Sequence, residues 1–320
     1  MNRCLENIIS EIEKVIAGKR PVIMKILMAV LAGGHILLDD VPGVGKTTLA
    51  MALGKAADLD FRRIQFTPDV LPSDIVGFSM YNKETGKFEY RQGAVNDANL
   101  VLGDEINRAS SRTQSALLEA MEEGRVTVDG NTYSLPDPFV VIASQNRVGA
   151  AGTQPLPYAQ MDRFMIRLSV GYPDYDAQMG MLKDRQDSDP MGKVCCVVSR
   201  HDLLDMKKSV ESVTVKDLVL DYIIRLSQMT RENKDIRLGI SPRGSLLLCR
   251  MAKARAYFEG RDYVTGTDVQ AVFKDVCAHR IILKQDELQQ YDSHSNTMAE
   301  EILDQILKSA DTPDARSIQC

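Results

Sequence analysis

The 320-residue sequence has no surplus of basic residues: 39 Lys and Arg stand against 44 Asp and Glu, a formal net charge of −5. A protein that grips nucleic acid through its phosphates normally shows the opposite balance, so a general nucleic-acid binder is disfavoured, although a local basic groove remains open. Cysteine is scarce and poorly spaced for chemistry. Cys4, Cys195, Cys196, Cys249, Cys277 and Cys320 form no C-x-x-C pair, and the four histidines do not cluster with them. Neither a zinc site nor a disulfide framework is indicated, and the adjacent Cys195-Cys196 reads as an apolar strand or loop edge. Long apolar runs are missing as well. Ile23 to Leu38 is interrupted by Lys25, Gly33-Gly34 and His35, which excludes a membrane span, and the N-terminus becomes charged before the core of a signal peptide can build. The expectation is a cytoplasmic protein without internal repeats. With 44 % hydrophobic and 26 % charged residues it has a normal globular composition, and it is long enough for two domains.

Two segments carry chemistry. The first is Val41-Pro-Gly-Val-Gly-Lys-Thr-Thr48, between a short apolar run suited to a buried strand (His35 to Leu38) and a helix-like stretch (Thr47 to Ala57). A glycine-rich turn in that position aims backbone N–H groups inward, and the helix N-terminus reinforces them as a phosphate cradle. Pro42, Gly43, Val44, Gly45, Lys46, Thr47 and Thr48 form the cradle. Lys46 would reach the β and γ phosphates of a nucleotide, and the Thr47 hydroxyl would ligate Mg²⁺. The strict spacing asks for glycine at position 40, where this chain has Asp40; a strand–turn–helix junction with a chance Gly-Lys is the plainer alternative. The second segment is Val101-Leu-Gly-Asp-Glu-Ile-Asn-Arg108. Asn99 to Leu102 reads as a strand ending in two carboxylates, at the sheet edge where open α/β folds bind ligands. Asp104 would hold the Mg²⁺ shell and Glu105 would polarise the attacking water. A helix cap beside a solvated acid is the alternative there.

Up to about Tyr172 short β-branched runs alternate with helix-like segments: Ile64 to Phe66, Asn99 to Leu102, Phe139 to Ala143 and Phe164 to Leu168 are the expected strands. Such alternation implies a parallel sheet flanked by helices. Two hairpins interrupt it, over Tyr81 to Tyr90 and Arg125 to Tyr133, each with a Gly-containing turn. From about Asp174 strands nearly vanish, and helices are expected over Ala177 to Arg185, His201 to Lys208, Val215 to Arg231, Pro242 to Phe258 and Thr267 to Ile282. The domain division is therefore 1–173, 174–311 and a frayed tail over 312–320.

Pro42-Gly-Val-Gly-Lys-Thr, Gln65-Phe-Thr-Pro-Asp69, Leu71-Pro-Ser-Asp74, Asp104-Glu-Ile-Asn-Arg-Ala109, Thr113-Gln-Ser-Ala-Leu-Leu-Glu-Ala-Met121 and Met161-Asp-Arg-Phe164 together resemble the MoxR branch of the AAA+ ATPases. The likeness continues through Val170-Gly-Tyr-Pro173, Ser241-Pro-Arg243, Gly260 to Thr265 and His279-Arg280. It implies an AAA+ P-loop core with hairpin insertions followed by an all-α lid, with ATP and Mg²⁺ held at the seams of a homo-oligomeric ring, usually a hexamer. By this resemblance Asn146 orients the attacking water, Arg163 is the finger acting on the neighbour's γ-phosphate, with Arg167 a lesser rival, and Arg243 is the lid's sensor arginine. Val15 to Lys19, including Ile16 and Gly18, resembles the segment lining the adenine pocket. The chemistry agrees, because phosphoryl transfer needs positive charge beyond Lys46 and Mg²⁺.

Three positions depart from the family pattern: Gly103 and Gly244 stand where alanine is usual, and Arg147 where proline is common. Gly103 is expected to loosen the strand end, and Gly244 to weaken the start of its helix by up to about 1 kcal/mol. The functional expectation is a chaperone-like ATPase that remodels or matures a client, with a von Willebrand factor A domain protein as the partner the family implies and the hairpins as the contact region. A nucleic-acid translocase is the alternative, opposed by hairpins in which Lys83, Lys87 and Arg91 are offset by Glu84 and Glu89. A nucleotide-binding assembly switch with little hydrolysis is a third, opposed by Glu105, Asn146 and Arg163. A metal-insertion role like that of the magnesium chelatase ATPase subunit differs only in its client.

Overall fold

A computed structural model describes residues 3–145, 156–187, 190–284 and 293–313. The chain opens with two helices, α1 (Arg3–Glu13) and α2 (Arg20–Leu31), and then enters the alternating part. There follow β1 (Ile36–Asp39), α3 (Lys46–Ala56), β2 (Phe61–Gln65), α4 (Pro72–Val76), the hairpin β3 (Phe78–Asn82) and β4 (Lys87–Arg91), and β5 (Leu100–Asp104). Next come α5 (Ser111–Glu123), the hairpin β6 (Arg125–Val128) and β7 (Asn131–Ser134), β8 (Val140–Gln145), α6 (Tyr158–Met161) and β9 (Ile166–Leu168). The rest is mainly helical: α7 (Tyr175–Asp187), α8 (Arg200–Glu211), α9 (Asp217–Glu232), β10 (Ile236–Leu238), α10 (Pro242–Phe258), α11 (Gly266–Cys277), β11 (Ile282–Leu283) and α12 (Ser293–Ser309).

Five strands form a parallel sheet in the order β2-β5-β8-β1-β9. Leu37, Val101, Val141 and Ala143 pack on one face with α4 and α5, while Ile36, Leu38, Leu100, Leu102, Val140 and Ile142 pack on the other with α1, α2 and α3. Covering both faces of a parallel sheet is why its strands read as continuous apolar runs. Because all five strands point the same way, the ends of β1, β8 and β5 meet at one edge. Asp39 is level with Gln145, and Gly103 with Ala143, so the glycine-rich turn and the acidic pair sit two strands apart on that edge.

Both expected hairpins form, with Tyr81 opposite Phe88 and Thr127 opposite Thr132. They touch through Tyr90 and Tyr133, whose rings stack at 4.0 Å. The helical part is not set apart from the sheet. Its core is continuous with the α1–α3 face, α10 lies against α2, and α11 lies against β9. The expected helix over 267–282 stops at Cys277, since Ile282 and Leu283 pair antiparallel with Leu238 and Ile236 in a two-stranded ribbon. Position 173 falls in the irregular stretch between β9 and α7. Thr312 accepts a 2.7 Å hydrogen bond from Gln270 Nε2, and residues 314–320 lie outside the described part. Cys195-Cys196 occupies an irregular, exposed loop.

Candidate functional site

The turn after β1 needs backbone that only glycine adopts freely. Gly43 has φ of 85° and Gly45 92°, both left-handed, and a Cβ on Gly43 would meet open space while one on Gly45 would press on Ile16 Cδ1 at 3.1 Å. Gly45 is also the N-cap of α3 and supplies no side-chain acceptor, so the first N–H groups of that helix face the cleft. Lys46 is buried, and its Nζ donates to the turn's own carbonyls, Asp40 O at 3.2 Å and Val41 O at 3.5 Å. Burial lowers the pKa of its ammonium group; the carboxylates of Asp40, Asp104, Asp39 and Glu105 oppose that shift.

Asp40, which stands in place of the expected glycine, is itself built in. It is 4 % exposed, accepts from Ser169 Oγ at 2.8 Å and Gly171 N at 3.1 Å, and also accepts from Val170 N. A carboxylate thus ties the turn to the segment leaving β9, a role a glycine could not fill.

At the end of β5, Asp104 accepts from Ser144 Oγ at 2.6 Å and Arg63 Nη2 at 2.7 Å. Glu105 takes a left-handed backbone conformation, φ 57°, unusual for a non-glycine residue. The conformation is held by Glu105 N donating to Ser144 Oγ at 2.9 Å, while its carboxylate accepts from Gln65 Nε2 at 3.2 Å and Arg108 Nη1 at 3.0 Å. Two carboxylates are therefore fixed side by side, each with a cationic neighbour.

These groups line one cleft of about 840 Å³. Pro42, Gly43, Val44, Gly45, Lys46, Thr47, Thr48, Asp104, Glu105 and Ile16 all contribute to its wall. Gly18 does not; it packs beside the cleft, where its Cβ position lies 3.3 Å from Ala177. The residues that roof the cleft, among them Tyr172, Asp176, Ala177 and Met181, come from α7 and the segment before it. Arg63, Gln65, Arg108 and Ser144 are the partners of the acidic pair that sequence reasoning gave no role, although Gln65 and Arg108 lie within motifs it used. Asn146 and Arg147 lie outside the described residues.

The two family arginines are placed elsewhere. Neither Arg163 nor Arg243 is among the described residues lining the cleft. Both instead meet the carboxylate of Glu122 near the end of α5: Arg163 Nε lies 3.2 Å from Oε2, and Arg243 Nη2 pairs with Oε1. Arg163 also lines a second, polar pocket of about 440 Å³ with Glu122, Arg125 and Gln160. Arg167, the lesser rival, is half-buried on β9 with Nη1 4.0 Å from Asp39 Oδ2. Gly103 has no loose strand end: it pairs with Ile64 and Ala143, and a Cβ there would meet Phe66 Cε2 at 3.1 Å. Gly244 likewise has a packing reason, because its Cβ position lies 2.6 Å from Ile240 Cγ2 and 2.9 Å from Arg280 Cδ.

Residues 35–166 match the family described as ATPase family associated with various cellular activities (AAA), and residues 228–306 match the AAA lid domain. The chain is 44% identical to the uncharacterized protein YeaC of Bacillus subtilis, covering 97% of this chain and 95% of that one. It is 35% identical to Chaperone MoxR1 of Mycobacterium tuberculosis, covering 98% and 84%. A crystal structure of a chain from Cytophaga hutchinsonii superposes with a TM-score of 0.85 at 38% identity, covering 97% of this chain and 95% of that one. A parallel β2-β5-β8-β1-β9 sheet, a glycine turn feeding α3 and an acidic pair two strands away agree with these likenesses, and the chain belongs to the MoxR family of AAA+ ATPases.

Proposed function

We propose that the chain binds ATP with Mg²⁺ in the cleft between the β1–α3 turn and α7, hydrolyses it, and works in a homo-oligomeric ring as a chaperone-like remodeller or maturation factor. The observation that carries this reading is the convergence of Lys46, Thr47, Asp104 and Glu105 on the wall of one cleft of nucleotide size. The residues fit the group: left-handed glycines open the turn to phosphate, the uncapped N-terminus of α3 faces it, and a buried ammonium sits among carboxylates. Thr47 and Asp104 would hold Mg²⁺, whose charge would offset that of the phosphates.

The chain's own groups then divide the work. Lys46 exchanges its turn carbonyls for phosphate oxygens, and Ile16, packed beside Gly45, offers an apolar wall to the base. Ser144 and Arg63 hold Asp104 in place on the cleft wall. Glu105 is the acceptor for a proton of the attacking water, once it gives up one of its contacts with Gln65 and Arg108. Arg163 and Arg243 lie off the cleft of their own subunit, which favours a finger that serves the neighbouring subunit's nucleotide. The client and a von Willebrand factor A domain partner belong to the same proposal, and the joined hairpins are the surface offered to them.

Mg²⁺-dependent turnover measured across a protein dilution series tests the reading, with Glu105→Gln and Arg163→Ala beside the native chain. Turnover should fall on dilution and drop by about 10²- to 10⁴-fold in both variants while nucleotide binding persists. Turnover independent of concentration, or binding without turnover in the native chain, would remove the ring ATPase and leave a binding switch.

A further inference from the structure

The loop carrying Arg163 is tied to the sheet by Met165 N, which donates to His35 O at 2.8 Å, and to the helical part of its own chain by a larger set of contacts. Arg280, just after α11, is 5 % exposed and extends its guanidinium into the loop. Its Nη2 donates to Asp162 O at 3.0 Å and also to Phe164 O, and its Nη1 donates to Met165 O at 3.3 Å. Nε lies 2.9 Å from Asp162 Oδ1, an ionic contact rather than an aligned hydrogen bond. His279 adds a 3.1 Å contact from Nε2 to Phe164 O, and Ser241 Oγ at the N-cap of α10 donates to Asp162 Oδ2 at 3.0 Å. Every residue flanking Arg163 from Asp162 to Met165 is thus fixed to α10 or to the segment after α11.

A buried guanidinium loses much hydration, and burial accordingly lowers the pKa of Arg280, with Asp162 opposing the shift. Such a cost is tolerated where the planar fork satisfies several fixed acceptors at once, as it does here. Gly244 belongs to the same arrangement. A methyl group at that position would meet Arg280 Cδ at 2.9 Å, so the glycine in the first turn of α10 makes room for the arginine to cross into the loop. Arg243, the preceding residue, shares Glu122 with Arg163.

We propose that Arg280 is the positioning residue of the finger: it clamps the Asp162–Met165 backbone to the helical part, so that Arg163 moves with its own subunit's lid and carries that lid's position to the neighbour's nucleotide. The proposal rests on the reading of Arg163 as a finger acting across the seam. α10 and α11 pack closely on each other, so the clamp seats the finger loop on one helical unit.

Mixed rings separate this role from general support of the fold. Glu105→Gln chains, which keep a finger but cannot hydrolyse, are mixed with Arg163→Ala chains, which keep the acid but have no finger; a finger working across the seam restores turnover. Arg280→Lys is then placed on one component at a time. On the Glu105→Gln donor it should cut the restored turnover about 10- to 100-fold, the scale of a misplaced catalytic group. On the Arg163→Ala acceptor it should change little, because there is no finger to place. A merely structural role would damage both arrangements alike. Should Arg280→Lys chains fail to bind ADP or melt early, Gly244→Ala, which presses on the same side chain, is used in both positions. Equal effects on donor and acceptor, with recovery intact in the parent mixture, overturn the clamp alone. No recovery in the parent mixture overturns the cross-seam finger and the clamp with it.

Discussion

His35 gives the chain an acid-sensitive element in the middle of its sheet. The ring is buried beside β1, with Nδ1 accepting from Val141 N at 3.0 Å and Nε2–H donating to Met121 O at 3.0 Å. Only the neutral ring with its proton on Nε2 satisfies both contacts, and protonation would set an N–H against the N–H of Val141. Burial accordingly pushes its pKa down from 6.5 to about 4. Between these values the unfolded chain binds a proton that the folded chain refuses, so stability falls as pH is lowered. The contribution is whole above about pH 6.5 and lost as pH falls through about 4. The full shift corresponds to about 3 kcal/mol, of which about 2 kcal/mol is gone by about pH 5. Urea unfolding of the native chain and of His35→Leu, at about pH 8 and about pH 5, isolates the effect. The variant is weaker at pH 8, having left Val141 N and Met121 O unpaired, yet its disadvantage should shrink by about 2 kcal/mol at the lower pH. His279 is also buried with its pKa lowered, but it is present in both proteins and cancels. Stability curves that stay parallel across that interval would refute the assignment of a neutral, trapped His35.

Asp40→Gly restores the strict glycine spacing of the phosphate turn but removes the acceptor for Ser169, Val170 and Gly171, so unfolding experiments should show a loss of about 2–4 kcal/mol with no gain in nucleotide affinity. Equal stability with tighter binding would mean that the aspartate only obstructs. Gln65→Ala takes one hydrogen-bond donor from Glu105, freeing a carboxylate oxygen to accept from water, and should raise basal ATP turnover severalfold at unchanged nucleotide affinity. Falling turnover would show that Gln65 aims Glu105 rather than restraining it.

The turn proposed to hold phosphate was legible as a turn because its parts are contiguous: Gly43, Gly45, Lys46 and Thr47 are brought together with no distant contact required. The acidic pair was legible for a related reason, since an apolar strand ending in carboxylates places them at a sheet edge whatever the order of the strands. Legibility ended where a role depends on a partner far away in sequence. The periodicity of residues 267–282 reads as one helix, and nothing local reveals that Ile282 and Leu283 will pair with β10 instead. The opening helix is a different case. Leu5, Ile8, Ile9 and Ile12 recur at helical spacing and are all buried, a signal present in the sequence but unused.

The glycines that depart from the family pattern show how a local rule misleads when packing decides. By helix propensity alone Gly244 is a defect near the start of α10, costing about 1 kcal/mol against alanine. In the fold its missing methyl group is the space through which Arg280 reaches the loop of Arg163, and Gly103 likewise leaves room for the ring of Phe66. At both positions propensity describes the isolated segment, whereas the neighbouring side chain sets the sign. An alanine at position 244 would strengthen the helix turn by itself and displace the arginine that holds the Arg163 loop. The residue that looked least suited to its helix is thus the one that lets the helical part hold Arg163.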